Sequence, residues 1–123
     1  MKSRWIDHAG KQIFYVDFSD FGVSRASLEK EVQAVSSAVT QQPENSVLGL
    51  VDTRNTVITM AMSVLIKGHA RRLGRHIRKA AVIVDTVNDA KKTLFSSIAR
   101  AGRREVFLFD NIDDAKAWLA DNG

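Results

Sequence analysis

The sequence predicts an α/β fold: a mixed, mostly parallel sheet of four or five strands, with an N-terminal hairpin and flanking helices. Two observations carry this. Four short apolar runs, Ile13–Asp17, Val47–Asp52, Ala80–Asp85 and Val106–Asp110, each end in an aspartate and are each followed by helix-like sequence. One of them, KAAVIVD at 79–85, is nearly all apolar, the pattern of a strand covered on both faces. Right-handed crossovers then leave only the first strand antiparallel to its neighbour. The C-terminal strand ends share one edge, where such sheets usually bind ligands.

Each element has its own signal. Arg4–Ala9 and Ile13–Phe18 flank Gly10-Lys11-Gln12 and read as a hairpin, the second strand rich in aromatic and β-branched residues. From Ser24 to about Gln41, Leu28, Val32, Val35 and Val39 form one apolar helical stripe. Ser24 is the expected N-cap, with Glu29 and Glu31 near the positive helix end, and Pro43 closes the segment. VLGLVD at 47–52 is the next strand, followed by the polar connection Thr53–Thr56.

A helix is expected from about Thr59 to His76, with Met62, Leu65, Ile66, His69, Leu73 and Ile77 inward. Asn88 or Asp89 opens the next helix, which buries Leu94, Phe95, Ile98 and Ala99 and ends at Gly102 in the left-handed conformation. VFLFD at 106–110 is the last strand. Asn111 with Asp114 forms a capping-box pattern before a final helix docked by Ile112, Ala115, Trp118 and Leu119.

Composition bounds the function. The 123 residues suffice for one domain, 1–123, with a real core. There is no cysteine, hence no disulfide framework and no thiolate chemistry. No apolar stretch approaches the roughly 18 residues of a membrane span. The opening MKSRWIDHAG lacks a signal-peptide apolar block, so cytoplasmic residence is the expectation. The net charge of +4 hides an asymmetry: residues 67–104 hold eleven Lys/Arg and two acids, the remainder seven basic and twelve acidic residues. Such segregation points to a protein partner with an acidic surface, to anionic headgroups, or to a homodimer through opposite faces. Nucleic acid is disfavoured, because the basic segment offers a single aromatic, Phe95, inside an apolar stripe.

The sequence holds neither a G-x-x-x-x-G-K-[ST] nor a G-x-G-x-x-G phosphate loop, and no G-x-S-x-G elbow. No catalytic residue, cofactor or metal is therefore expected. His69 and His76 share a helix face without a third ligand and read as structural histidines. Asp17, Asp52, Asp85 and Asp110 could together hold a hard cation or, more simply, cap turns and helices. The favoured ligand or partner surface is Asp52, Thr53, Arg54, Asn55, Thr56 and Thr59. There, helix N–H groups and the Arg54 fork would suit an anion. A second candidate is a basic ridge on one exposed helix face: Lys67, Arg71, Arg75 and Arg78.

Three segments carry a family resemblance: IFYVDFS at 13–19, LGLVDTRN at 48–55 and VFLFDNIDDAKAWL at 106–119. With the element order, they make the chain similar to STAS domains, the anti-sigma-factor antagonist family. It looks more specifically like a group of small bacterial proteins with a STAS-like or CRAL-TRIO-like fold. The STAS resemblance implies a non-enzymatic regulatory module. Such modules are switched by phosphorylation of a Ser or Thr opening the helix after the second parallel strand. Here that stretch reads Thr56-Val57-Ile58-Thr59-Met60-Ala61, with Thr59 as the nearest hydroxyl. The CRAL-TRIO resemblance implies instead a carrier or sensor of a small lipophilic or anionic ligand.

Overall fold

Alternating apolar strands and one-sided helices assemble into one five-stranded sheet in the order β1-β2-β3-β4-β5. The computed structural model describes residues 1–85, 89–102 and 106–121. The strands are β1 (Arg4–His8), β2 (Lys11–Asp17), β3 (Val47–Asp52), β4 (Ile77–Ile83) and β5 (Val106–Phe109). The helices are α1 (Arg25–Thr40), α2 (Met60–Leu73), α3 (Asp89–Gly102) and α4 (Ile112–Ala120). Only β1 runs antiparallel to its neighbour, as the strand–helix alternation requires.

Because β2 to β5 follow one another across the sheet, three successive right-handed crossovers put α1, α2 and α3 on the same face. Leu28, Val32, Val35 and Val39 of α1 all point into that layer, with Met62 and Ile66 of α2 and Phe95 and Ile98 of α3. On the opposite face, α4 alone lays Ala115 and Leu119 on Ile13, Tyr15, Leu48, Leu50, Ala81 and Ile83. Asn111 accepts hydrogen bonds from the Asp113 and Asp114 amides, which forms the Asn111 half of the capping box foreseen for α4.

Four local expectations change. The hairpin turns on Ala9-Gly10 rather than Gly10-Lys11-Gln12. Lys11 and Gln12 pair with His8 and Asp7, and both turn residues have positive φ, 50° and 78°, the geometry of a two-residue hairpin loop. Second, Gly102 is the last helical residue and is not left-handed. Its missing side chain serves packing instead. A Cβ at Gly102 would lie 3.2 Å from the Ala70 carbonyl oxygen, and one at Gly74 only 2.1 Å from that of Gly102.

Third, the helix of the basic ridge stops at Leu73, and Gly74–His76 form a 3₁₀ turn into β4. Arg78 is therefore a strand residue, Arg75 lies in the turn, and Lys67 is half-buried; the four do not share one exposed helix face. Fourth, the acidic first turn foreseen for α1 is replaced by a buried role for Glu31, described below. Of the two positions proposed to open α3, Asp89 does so and Asn88 lies outside the described residues.

Candidate functional site

Period-two alternation carries Tyr15 and Asp17 of β2 and Asp52 of β3 onto the α4 face, at the C-terminal edge of the sheet. Asp17 and Asp52 are direct cross-strand partners, and both carboxylates are buried. Two like charges so placed demand compensation. Asp52 accepts the Tyr15 hydroxyl at 2.5 Å, the Arg54 guanidinium at 3.0 and 2.7 Å, and the Arg54 amide at 3.1 Å. Asp17 closes a turn by accepting from Ser19 and faces Lys2 and Arg4 at 3.6 and 3.5 Å.

Electrostatics follow from these bonds. Burial alone would raise the Asp52 carboxyl, but hydrogen bonds from Arg54 and Tyr15 outweigh it and hold it below its ordinary 3.8. Burial, reinforced by the Asp52 carboxylate, pushes the Tyr15 phenol well up and keeps it protonated. The bond to Asp52 likewise raises Arg54, despite burial. Tyr15, Asp52 and Arg54 thus satisfy one another and present no titrating acid or base near neutral pH.

The polar run after Asp52 is equally committed. Thr53 is fully buried and donates to the Ile83 carbonyl at 2.8 Å. Thr56 bonds the Phe18 carbonyl and accepts from the Phe21 amide at 3.1 Å. Asn55, at φ 59°, reaches Asp20 across the loop at 2.9 Å. Backbone bonds Asp20 to Arg54, Gly22 to Asn55 and Val57 to Gly22 zip the β2–α1 and β3–α2 loops together. Thr59 is exposed and caps α2 by accepting from the Met62 amide at 3.2 Å. The structure thus brings all six foreseen residues to one edge, where only Arg54, Asn55 and Thr59 reach solvent.

Four of the exposed apolar residues lie on the zipped loops and the start of α2. Val23, Val57, Met60 and Val64 are 85%, 55%, 79% and 66% exposed. The parallel bridge Gly22–Thr56 sets Val23 beside Val57, while Met60 and Val64 stand one turn apart on α2. Lys67 and Arg71 continue the Met60–Val64 line along the helix, and Arg25 follows Val23 closely. An apolar patch thus borders basic side chains.

Sequence reasoning missed three buried groups. Glu31 accepts from the Lys2 and Ser3 amides at 3.1 and 2.9 Å and from the Ser3 hydroxyl at 2.7 Å, tying the N-terminal segment to α1. Burial raises its carboxyl, and the Ser3 and Lys2 bonds override this and lower it. Lys91, 5% exposed, donates to the Thr53 carbonyl and pairs with Asp85 at 3.6 Å; burial pushes its ammonium down against the pull of Asp85. Tyr15 completes the trio. A signal existed: Lys91 lies on the Phe95–Ile98 stripe, and Tyr15 alternates with Ile13 and Asp17.

His76 is buried, its Nδ1 2.8 Å from the Gln42 carbonyl, and is structural as foreseen. Burial, with the nearby Arg72, lowers His69. Among the described residues no three His, Asp or Glu side chains come together as a metal site. Among them, too, no helix is long and apolar enough to cross a membrane. No protein-family model matches the chain, and neither a curated protein nor a solved structure does.

Proposed function

We propose that this chain is a protein-interaction module of STAS-like type, acting in regulation rather than catalysis, and that it docks its partner through the start of α2. One observation carries the reading: the apolar patch of Val23, Val57, Met60 and Val64, left in solvent beside a fully bonded polar edge. Exposed apolar residues grouped near charge are a common mark of partner surfaces. The basic neighbours Arg25, Lys67 and Arg71 favour a partner whose apolar side chains are flanked by acids. The mutual bonding of Tyr15, Asp52 and Arg54 supports a role without chemistry, since each reactive group is already engaged.

Thr59 lies between Val57 and Met60 and is exposed. A phosphate there would add about two negative charges to an apolar contact and oppose docking. The test is a binary one: a partner captured by the native chain is purified and titrated against wild type and Met60→Asp/Val64→Asp. The reading expects affinity to fall at least about tenfold, in line with truncated interface anchors. Equal affinity would overturn it. Sedimentation of the chain alone gives a second check: a stable homodimer broken by the same substitutions would make the patch a self-association surface instead.

A further inference from the structure

A cavity of about 150 Å³ lies between the sheet and the layer of α1, α2 and α3. Its cause is a pair of small residues. Gly49 and Ala80 are cross-strand partners at the centre of the sheet, in one row with Phe14 and Val106. All four line the cavity, and a Cβ built on Gly49 would meet no heavy atom within 4 Å. The helices above do not close the gap: Val35, Ile66, Phe95 and Ile98 bound it from the other side.

Among the described lining residues, His69 alone has a polar side chain. Its Nδ1 lies 2.8 Å from the Arg72 guanidinium, so the ring is already engaged. Water needs two to four polar partners and is poorly held in such a space, whereas an apolar cavity of about 150 Å³ accepts a benzene-sized molecule. We propose that this cavity binds a compact, uncharged apolar molecule, an aromatic ring or a short branched hydrocarbon. Its volume is too small for a long acyl chain. The cavity is partly open to solvent, and half-buried lining residues, among them His69, Leu73 and Gly102, cluster at the C-terminal ends of α2 and α3. The site is distinct from the patch at the start of α2, and its occupancy is a separate property of the chain.

The test is a benzene titration of the full chain, followed by amide chemical shifts, for wild type, Gly49→Ala and Gly49→Ala/Ala80→Val. The proposal expects saturable shifts in wild type centred on Gly49, Ala80 and Phe95. Binding should weaken at least about tenfold in the filled double variant, since one or two methyl groups in an apolar pocket carry that much discrimination. The single variant should fall between, and it decides the matter if the double variant does not fold. Absence of saturable shifts in wild type would overturn the proposal. Shifts scattered over the surface, or equal benzene affinity in a folded filled variant, would do so as well.

Discussion

The C-terminal edge of the sheet and the layer beneath α1–α3 are built on opposite terms. At the edge, polar side chains are dense and mutually bonded: Asp52 alone takes four hydrogen bonds from Tyr15 and Arg54. Among the described residues, no buried side-chain nitrogen or oxygen lacks a partner. Under the helices the lining side chains are apolar apart from His69, yet the packing leaves space at Gly49 and Ala80. The difference teaches that polarity does not locate receptivity. Asp52, Thr53 and Thr56 are turned inward to hold two loops together, Arg54 is tied to Asp52 although partly exposed, and the start of α2 leaves apolar side chains in solvent.

The largest expected effect breaks the edge. Asp52→Ala should destabilise the fold by about 2–3 kcal/mol, because the buried Tyr15 hydroxyl loses its acceptor and Arg54 its counter-charge. Urea denaturation checks it, and a cost below about 0.5 kcal/mol, ordinary for surface positions, would mean the edge is not structural. Next comes the seam between α2 and α3. Gly74→Ala should cost about 1–3 kcal/mol, as its methyl would press on the Gly102 carbonyl, a backbone atom that can yield only by shifting a helix.

The acid limb of stability sharpens the same comparison. Glu31 and Asp52 both have folded-state values below their ordinary 4.5 and 3.8. Each therefore contributes stability that is fully present above those ordinary values and is lost as pH falls through the lower folded-state ones. Stability should be flat with respect to these two groups at neutral pH and decline below the carboxylate range. Glu31→Gln should make that decline shallower. Thermal midpoints measured across the acid range check both statements.

The smallest effect belongs to the underpacked layer and has the opposite sign. Gly49→Ala should stabilise by about 0.5–1 kcal/mol, since its Cβ meets nothing and a strand glycine costs backbone entropy.

Much of the fold was legible because burial enforces period. The α1 stripe of Leu28, Val32, Val35 and Val39 carries a helical period, and all four residues are buried in the core. What escaped were features set by distance in space. Gly102 ends α3 as its sequence position implies, but not in the left-handed conformation, and its packing role is fixed by Ala70 of α2 and by Gly74 in the turn that follows. Arg78 continued a basic spacing past the point where Gly74–His76 turn the chain into β4. At the site, the grouping of Asp52 to Thr59 was readable from strand-end position. The inward turn of Thr53 and Thr56 was not, because it depends on the Ile83 and Phe18 carbonyls supplied by other segments.

The contrast between a closed polar edge and receptive apolar surfaces has one direct measurement. Amide shifts of the native chain would be followed in parallel titrations with inorganic phosphate and with benzene. The account predicts that benzene moves Gly49, Ala80 and Phe95 saturably, while phosphate leaves Asp52 through Thr56 in place. Saturable phosphate shifts centred on Arg54, with no response to benzene at Gly49, would contradict it.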